Sequence, residues 1–222
     1  MDNRELETSK LIVALVADAK PVRRLKPPSL RAVLWSVACV PAIALIVWYY
    51  GGIGAEYGTE VRQPSFVIES LACLLTGLTA AAAALNAAIP GRSQRLLLLP
   101  LIPLSVWLAA LCYGCWHDWV TLGVAGVELD ADWGCAAQTA LMAIVPGLLF
   151  VMLLRRLPIR SPAIAGVSAL AIASFAVLGT SLYHTDDSSL TFLFWHVGAA
   201  AVITCAGFLI GRRLPPLTSP SY

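Results

Sequence analysis

The stretch LCYGCWHDW, Leu111 to Trp119, brings Cys112, Cys115, His117 and Asp118 together in an otherwise apolar part of the chain. Thiols, an imidazole and a carboxylate this close could attach a haem, form a dithiol couple or bind a metal. Covalent haem attachment needs the histidine directly after the second cysteine, and here Trp116 intervenes. A structural zinc site needs four ligands, usually as two paired elements, whereas this chain has one Cys-x-x-Cys pair. The combination fits a redox response or a soft or borderline metal ion held transiently by thiolate and imidazole. Cys135, His184, Asp186, Asp187 and His196 are further donors. Cys39, Cys73 and Cys205 fall inside apolar segments, where a lone thiol packs as a small hydrophobe. A Cys-His-Asp nucleophile would need an oxyanion site and a defined spacing. Neither can be read here, and the chain is not expected to be an enzyme.

What positions these residues follows from composition. Of 222 residues, 59% are hydrophobic and 13% charged, and the mean hydropathy is +0.78. Those values exclude a water-soluble globule. A spanning helix takes roughly 20 apolar residues. Six windows qualify: Leu30–Tyr50, Phe66–Ile89, Leu96–Tyr113, Ala136–Leu154, Ala163–Leu182 and Leu190–Ile210. The expected fold is an all-α membrane protein, a six-helix transmembrane bundle (residues 30–213) between an N-terminal tail (1–29) and a short C-terminal tail (214–222). The first window follows a polar, basic tail and has no small-residue cleavage site after it, so it reads as a helix that stays rather than as a signal peptide.

Short basic connections stay in the cytoplasm. Fourteen of the fifteen Lys and Arg residues fall in the N-terminal tail, the second and fourth connections or the C-terminus, with Arg62 alone opposite. Both termini are therefore expected in the cytoplasm. Nine of the thirteen acids, among them Glu60, Glu69, Asp118, Asp186 and Asp187, lie on or near the other face. The same topology brings Cys112, Cys115, Cys135, His117, His184 and His196 to that outer face. Thiols in an oxidising compartment can pair. Cys112 and Cys115 share a helix face but not an easy bridging geometry, whereas Cys115 and Cys135 bracket one loop and are the preferred pair. The alternative is an interfacial belt of Trp116, Trp119, Trp133, Trp195 and their tyrosine neighbours, among which the cysteines merely pack.

Transporters that couple to ions carry buried charge near the bilayer midplane. Here the span centres hold Asn86, Ser105, Ser168, Ser174 and Thr204, which usually bond along or between helices. Ala80 to Ala84, and Gly207 with Gly211, supply small faces for close packing. A small membrane transporter, or a redox or metal-binding membrane protein using the outer Cys/His cluster, is the alternative function.

The tail has acids at its start, an apolar run from Leu11 to Ala17, and Pro21 beyond it. This predicts a short helix. An apolar run of seven residues cannot span a bilayer, and a helix apolar all round must be covered, either by the membrane surface and helix ends or by a protein partner. An extended basic connector, Pro21 to Pro28, follows.

The motifs Asp18-Ala-Lys-Pro-Val-Arg-Arg-Leu-Lys-Pro-Pro28, Pro90-Gly91-Arg92-Ser93, Gly114-Cys115-Trp-His-Asp118-Trp119, Cys135, Asp186-Asp187, Trp195-His196 and Gly211-Arg212-Arg213 together resemble the NrsF family. Its members are bacterial inner-membrane anti-sigma factors acting on extracytoplasmic-function sigma factors. The resemblance implies that the tail sequesters such a sigma factor through Leu11, Ile12, Leu15, Val16, Asp18, Pro21, Val22, Arg23, Arg24 and Leu25, with lipid as the other partner and no direct contact with nucleic acid. It also implies that Cys135 and Cys115, with His184, Cys112 and His117 beside them, report oxidant or metal stress in the periplasm. The family pattern has a second cysteine just before the acidic pair of the last outer loop. This chain has His184 and Thr185 there, so a disulfide at that position is excluded, whereas a Cys/His metal site is not.

Overall fold

A computed structural model describes residues 3–18, 26–54, 57–124, 133–154, 161–183 and 189–213. All its regular elements are helical. Helix α1 is Asn3–Asp18. The next is α2, Pro28–Tyr49, and after a single turn at Tyr57–Glu60 comes α3, Pro64–Ala87. A 3-10 turn at Gln94–Leu98 leads into α4, Leu101–Leu122. Then come α5, Trp133–Leu154, α6, Pro162–Thr180, and α7, Ser189–Arg213. Six of these, α2 to α7, are long and apolar enough to cross a membrane. Proline opens α2, α3 and α6 within the first turn, where its missing N–H costs nothing. Gly91 (φ 82°) makes the turn after α3, as Pro90-Gly91 predicts; the matching turn at Leu157-Pro158 lies outside the described residues.

Helix α6 is the hub. It packs against α3, α5, α7 and α2, and two-thirds of its most apolar window is buried. Its sequence, PAIAGVSALAIASFAVLGT, offers small side chains on every side, so neighbouring backbones can approach it from all directions. The small faces expected on α3 and α7 are used against it. Ala80, Ala81, Ala83 and Ala84 are buried. A Cβ on Gly207 would overlap Ala169 and lie 3.1 Å from the Ala165 carbonyl oxygen, and one on Gly211 would lie 2.6 Å from the Ala165 Cβ. None of these neighbours is a flexible side-chain end, so Gly207→Val is expected to cost about 1–3 kcal/mol by overpacking. A thermal melt of the purified variant in detergent checks this, and an unchanged midpoint would mean that α6 and α7 are not this close.

Helix α2 lays Arg31, Trp35, Cys39, Ile43 and Val47, each four residues after the last, against the bundle. Val33, Val37, Val40 and Leu45 are exposed. Such an apolar outer surface belongs in lipid, and α4 and α7 are the least covered spans. Span hydroxyls bond within their own helices, Ser168 to Ile164 O at 2.7 Å and Thr204 to Ala200 O at 2.8 Å among them, which removes the cost of an unsatisfied donor in hydrocarbon.

One boundary differs from expectation. The third span continues to Leu122 rather than ending near Tyr113. Gly114, just past the apolar window, is helical and faces Ser189, whose Oγ lies 2.8 Å from where a Cβ would stand. The true stop is Gly123, in the left-handed region at φ 65°, where a side chain would be strained.

Candidate functional site

The chemistry-bearing side chains occupy the end of the bundle opposite the entry of the tail into α2. Four residues of the LCYGCWHDW motif differ in surroundings although all lie on α4. Cys112 is exposed, Cys115 half-buried, and the His117 side chain 60% exposed against 23% for Asp118. Asp118 Oδ2 accepts a hydrogen bond from the Ser189 backbone N–H at 3.2 Å, placing a carboxylate at the start of α7, where it meets an amide that helix geometry leaves without a partner. Gly114 makes that approach possible. His117 Nδ1 is 3.9 Å from Asp118 Oδ1, a loose contact. Trp116 and Trp119 meet edge to face at 5.9 Å and are mostly exposed, as an interfacial belt requires.

Cys135 has a different neighbourhood. It is buried in the first turn of α5, and its carbonyl accepts from Thr139 Oγ1 at 3.0 Å. The same hydroxyl is 2.7 Å from His196 Nδ1. The hydroxyl therefore lies within hydrogen-bond reach of both the Cys135 carbonyl and the His196 imidazole, joining the first turn of α5 to α7. His196 is fully buried. It lies two turns into α7, as expected, but in a π-helical segment, Leu193–Val197, the kind of bulge that often marks functional positions. Tyr183 completes this corner. Its ring stacks on Tyr50 at 5.4 Å and its hydroxyl donates to Gln138 Oε1 at 3.2 Å. Burial, with Tyr50 and Cys135 nearby, holds its phenol above the usual range.

The structure does not bring Cys115 and Cys135 together. Helix α4 packs on α3 and on the start of α7, α5 on α2, α6 and α7, and no disulfide joins any of the six cysteines. Among the described residues no three His, Cys, Asp or Glu side chains converge to hold a metal ion. His184 lies outside the described residues. Thiol reactivity follows access, so a hydrophilic maleimide added to the solubilised protein is expected to label Cys112 first, Cys115 more slowly, and Cys135 only after denaturation. Single-cysteine variants read by mass spectrometry check the order; early labelling of Cys135 would show that the α5 end opens.

At the other end, Leu11, Ile12, Leu15 and Val16 stand on α1 with 55–69% of their surface exposed, so the apolar run is not covered by the helix ends. Pro21, Val22, Arg23, Arg24, Leu25 and the side chain of Asp18 lie outside the described residues. Arg31, next to this tail, is 7% exposed and its Nη2 donates to Leu153 O at 2.7 Å. Trp35 Nε1 donates to Pro146 O at 3.0 Å, and its ring sits edge-on to Phe150 and Phe175. Sequence reasoning missed these two bonds and the Thr139–His196 pair. A basic residue at a span's first turn, and a threonine four residues after a cysteine, are the signals available.

Compared with known families, residues 15–215 match NrsF, described as negative regulator of sigma F. The chain belongs to the NrsF family. The match runs from the last turn of α1 through the connector and all six spans of this NrsF chain, whereas Leu11 and Ile12 precede it. The family description makes this NrsF protein a negative regulator of a sigma factor, with that factor as partner. No curated protein and no solved structure matches the chain.

Proposed function

We propose that this multi-pass protein is an anti-sigma factor of the bacterial inner membrane, which holds an extracytoplasmic-function sigma factor at the cytoplasmic face. The observation that carries the reading is the bare apolar stripe of α1, joined to a basic connector at the head of a chain that matches a sigma-factor regulator. A helix with that much exposed apolar surface on its own tail is stabilised by a partner that covers it.

Release requires two bundle states with different affinity for the partner, because a signal can shift an equilibrium only by its differential interaction with the states. A tenfold loss of affinity needs about 1.4 kcal/mol. Helix α5 suits this task. Its first turn carries Cys135 and Thr139, bonded to His196, and its last turn holds Arg31 at the root of the tail. In the proposed orientation, an oxidant or metal ion acting on Cys115, Cys135, Cys112, His117 or His184 from the periplasm would shift α4 or α5 and loosen the docking of the tail. The protein acts by binding rather than by catalysis.

Co-purification is the direct test. The tagged full chain, solubilised from its own host, is expected to retain a sigma factor, and the chain lacking residues 1–25 to retain none. Absence of a sigma factor from both preparations would sink the reading. Substrate uptake by vesicles containing the purified chain would instead favour a transporter.

A further inference from the structure

A cavity of about 510 Å³ opens at the thiol-bearing end between α3, α4, α6 and the start of α7. Neither Cys112 nor Cys115 lines it. Trp107 and Leu111, each 2% exposed, and Phe192 form its apolar side, while Glu60, Glu69 and Asp118 bring carboxylates from three separate elements. Glu69 is close enough to both Asp118 and Glu60 to be repelled by them. Among the described residues no Lys or Arg lines the chamber, and His117 is the one histidine that does. Like charges beside apolar walls, where water screens poorly, favour a cation.

The size and the walls decide what kind of cation. Pockets of roughly 300–1,000 Å³ hold organic molecules, and the acids are not grouped to hold a metal ion. A strongly hydrated ion such as a simple polyamine gains nothing from Trp107, Leu111 and Phe192. A cation with an apolar body can place its charge among the carboxylates and its body on those walls. We propose that this cavity is a binding site for an amphipathic organic cation, with its charged group between Glu69 and Asp118 and its apolar body against Trp107 and Leu111. Since the site is walled by α4 and the start of α7, occupancy would brace those two helices against each other. The proposal is independent of the anti-sigma reading, because it concerns a cavity to which the tail contributes nothing.

The test uses the purified full chain in detergent and radiolabelled tetraphenylphosphonium, read by equilibrium dialysis. Saturable binding is expected. Tetraphenylborate, of the same shape and opposite charge, should not compete. Glu69→Gln and Asp118→Asn, which keeps an acceptor for the Ser189 amide, should each weaken binding by about tenfold or more, about 1.4 kcal/mol. Glu7→Gln, on the remote α1, should leave it unchanged. If Glu69→Gln does not give folded protein by circular dichroism, Glu60→Gln supplies the same comparison. Equal competition by tetraphenylborate, unchanged affinity in the folded acid variants, or displacement by micromolar zinc or by spermidine in preference to the lipophilic cation would each overturn the proposal.

Discussion

Replacing Leu11 and Leu15 together with aspartate is expected to abolish retention of the sigma factor while leaving the membrane bundle folded. At 100° per residue, Leu11, Ile12, Leu15 and Val16 fall within an arc of roughly 140° on α1, and Leu11 and Leu15 are 60% and 63% exposed. If a partner covers them, each leucine contributes about 1.5–3 kcal/mol, and each aspartate adds the cost of desolvating a charge in an apolar contact. The double variant therefore loses about 3 kcal/mol at the least, more than a hundredfold in affinity. Because the stripe is exposed and packs on no neighbouring helix to any extent, the melting temperature should barely move. Co-purification and a melt on the same preparation check both halves. A retained sigma factor would move the docking surface to the connector or to the bundle, and a collapsed melt would show that α1 is part of the fold.

Arg31→Met is expected to have the second-largest effect, on both stability and regulation. Arg31 donates a charge-assisted hydrogen bond to Leu153 O at the C-terminal end of α5, where carbonyls lack helical partners and the helix dipole is negative. Such a bond is worth about 1.5–3 kcal/mol, and its loss leaves a part-buried acceptor without it. Methionine keeps the apolar stem's packing, so the change isolates the head group. Trp35 still ties α2 to α5 through Pro146 O, so the bundle should survive with a lowered melting temperature. In the proposed mechanism the variant should still bind the sigma factor but respond poorly to oxidant, because movement of α5 no longer reaches the root of the tail. Reporter expression from the sigma-dependent promoter, with and without oxidant, reads this. A normal response would remove Arg31 from the path between the two ends.

The spans and the tail helix were legible because they depend on local properties. Whether a segment leaves water depends on its own apolar length, and each of the six windows corresponds to a helix of the bundle. The acidic start and Pro21 likewise bracket α1. The third helix outlasts its apolar window because polar Cys115, His117 and Asp118 stay helical, with Gly114 packed on Ser189, 75 positions away in sequence, and the stop comes only at Gly123.

The candidate site was legible as a set of residue types at one end of the chain's topology, but not as contacts. Cys115 and Cys135 bracket one loop in sequence, which suggests a pair, yet no disulfide joins them, and of their two helices α4 packs on α3 while α5 packs on α2 and α6. His196 was visible as a histidine two turns into a span, but its bond to Thr139 and the π-helical segment that presents it were not. Glu69 read as one acid among nine, and the cavity that gives it a role forms where α3, α4, α6 and α7 meet.

By itself, then, the sequence determined which segments can enter a membrane, which end of the bundle carries the thiols and acids, and that an apolar helix precedes the spans, since hydropathy, charge and helix propensity act residue by residue. The tertiary structure alone decided that α6 is the hub, that Cys115 and Cys135 stand apart, and that α5 is bonded to α7 near one end and to α2 at the other. The physical reason is that helix partners in a membrane are chosen by close packing of small faces and by a few buried hydrogen bonds. Both join residues far apart in sequence, so a small face such as Gly207 with Gly211 can be read from the chain, but not the helix it meets.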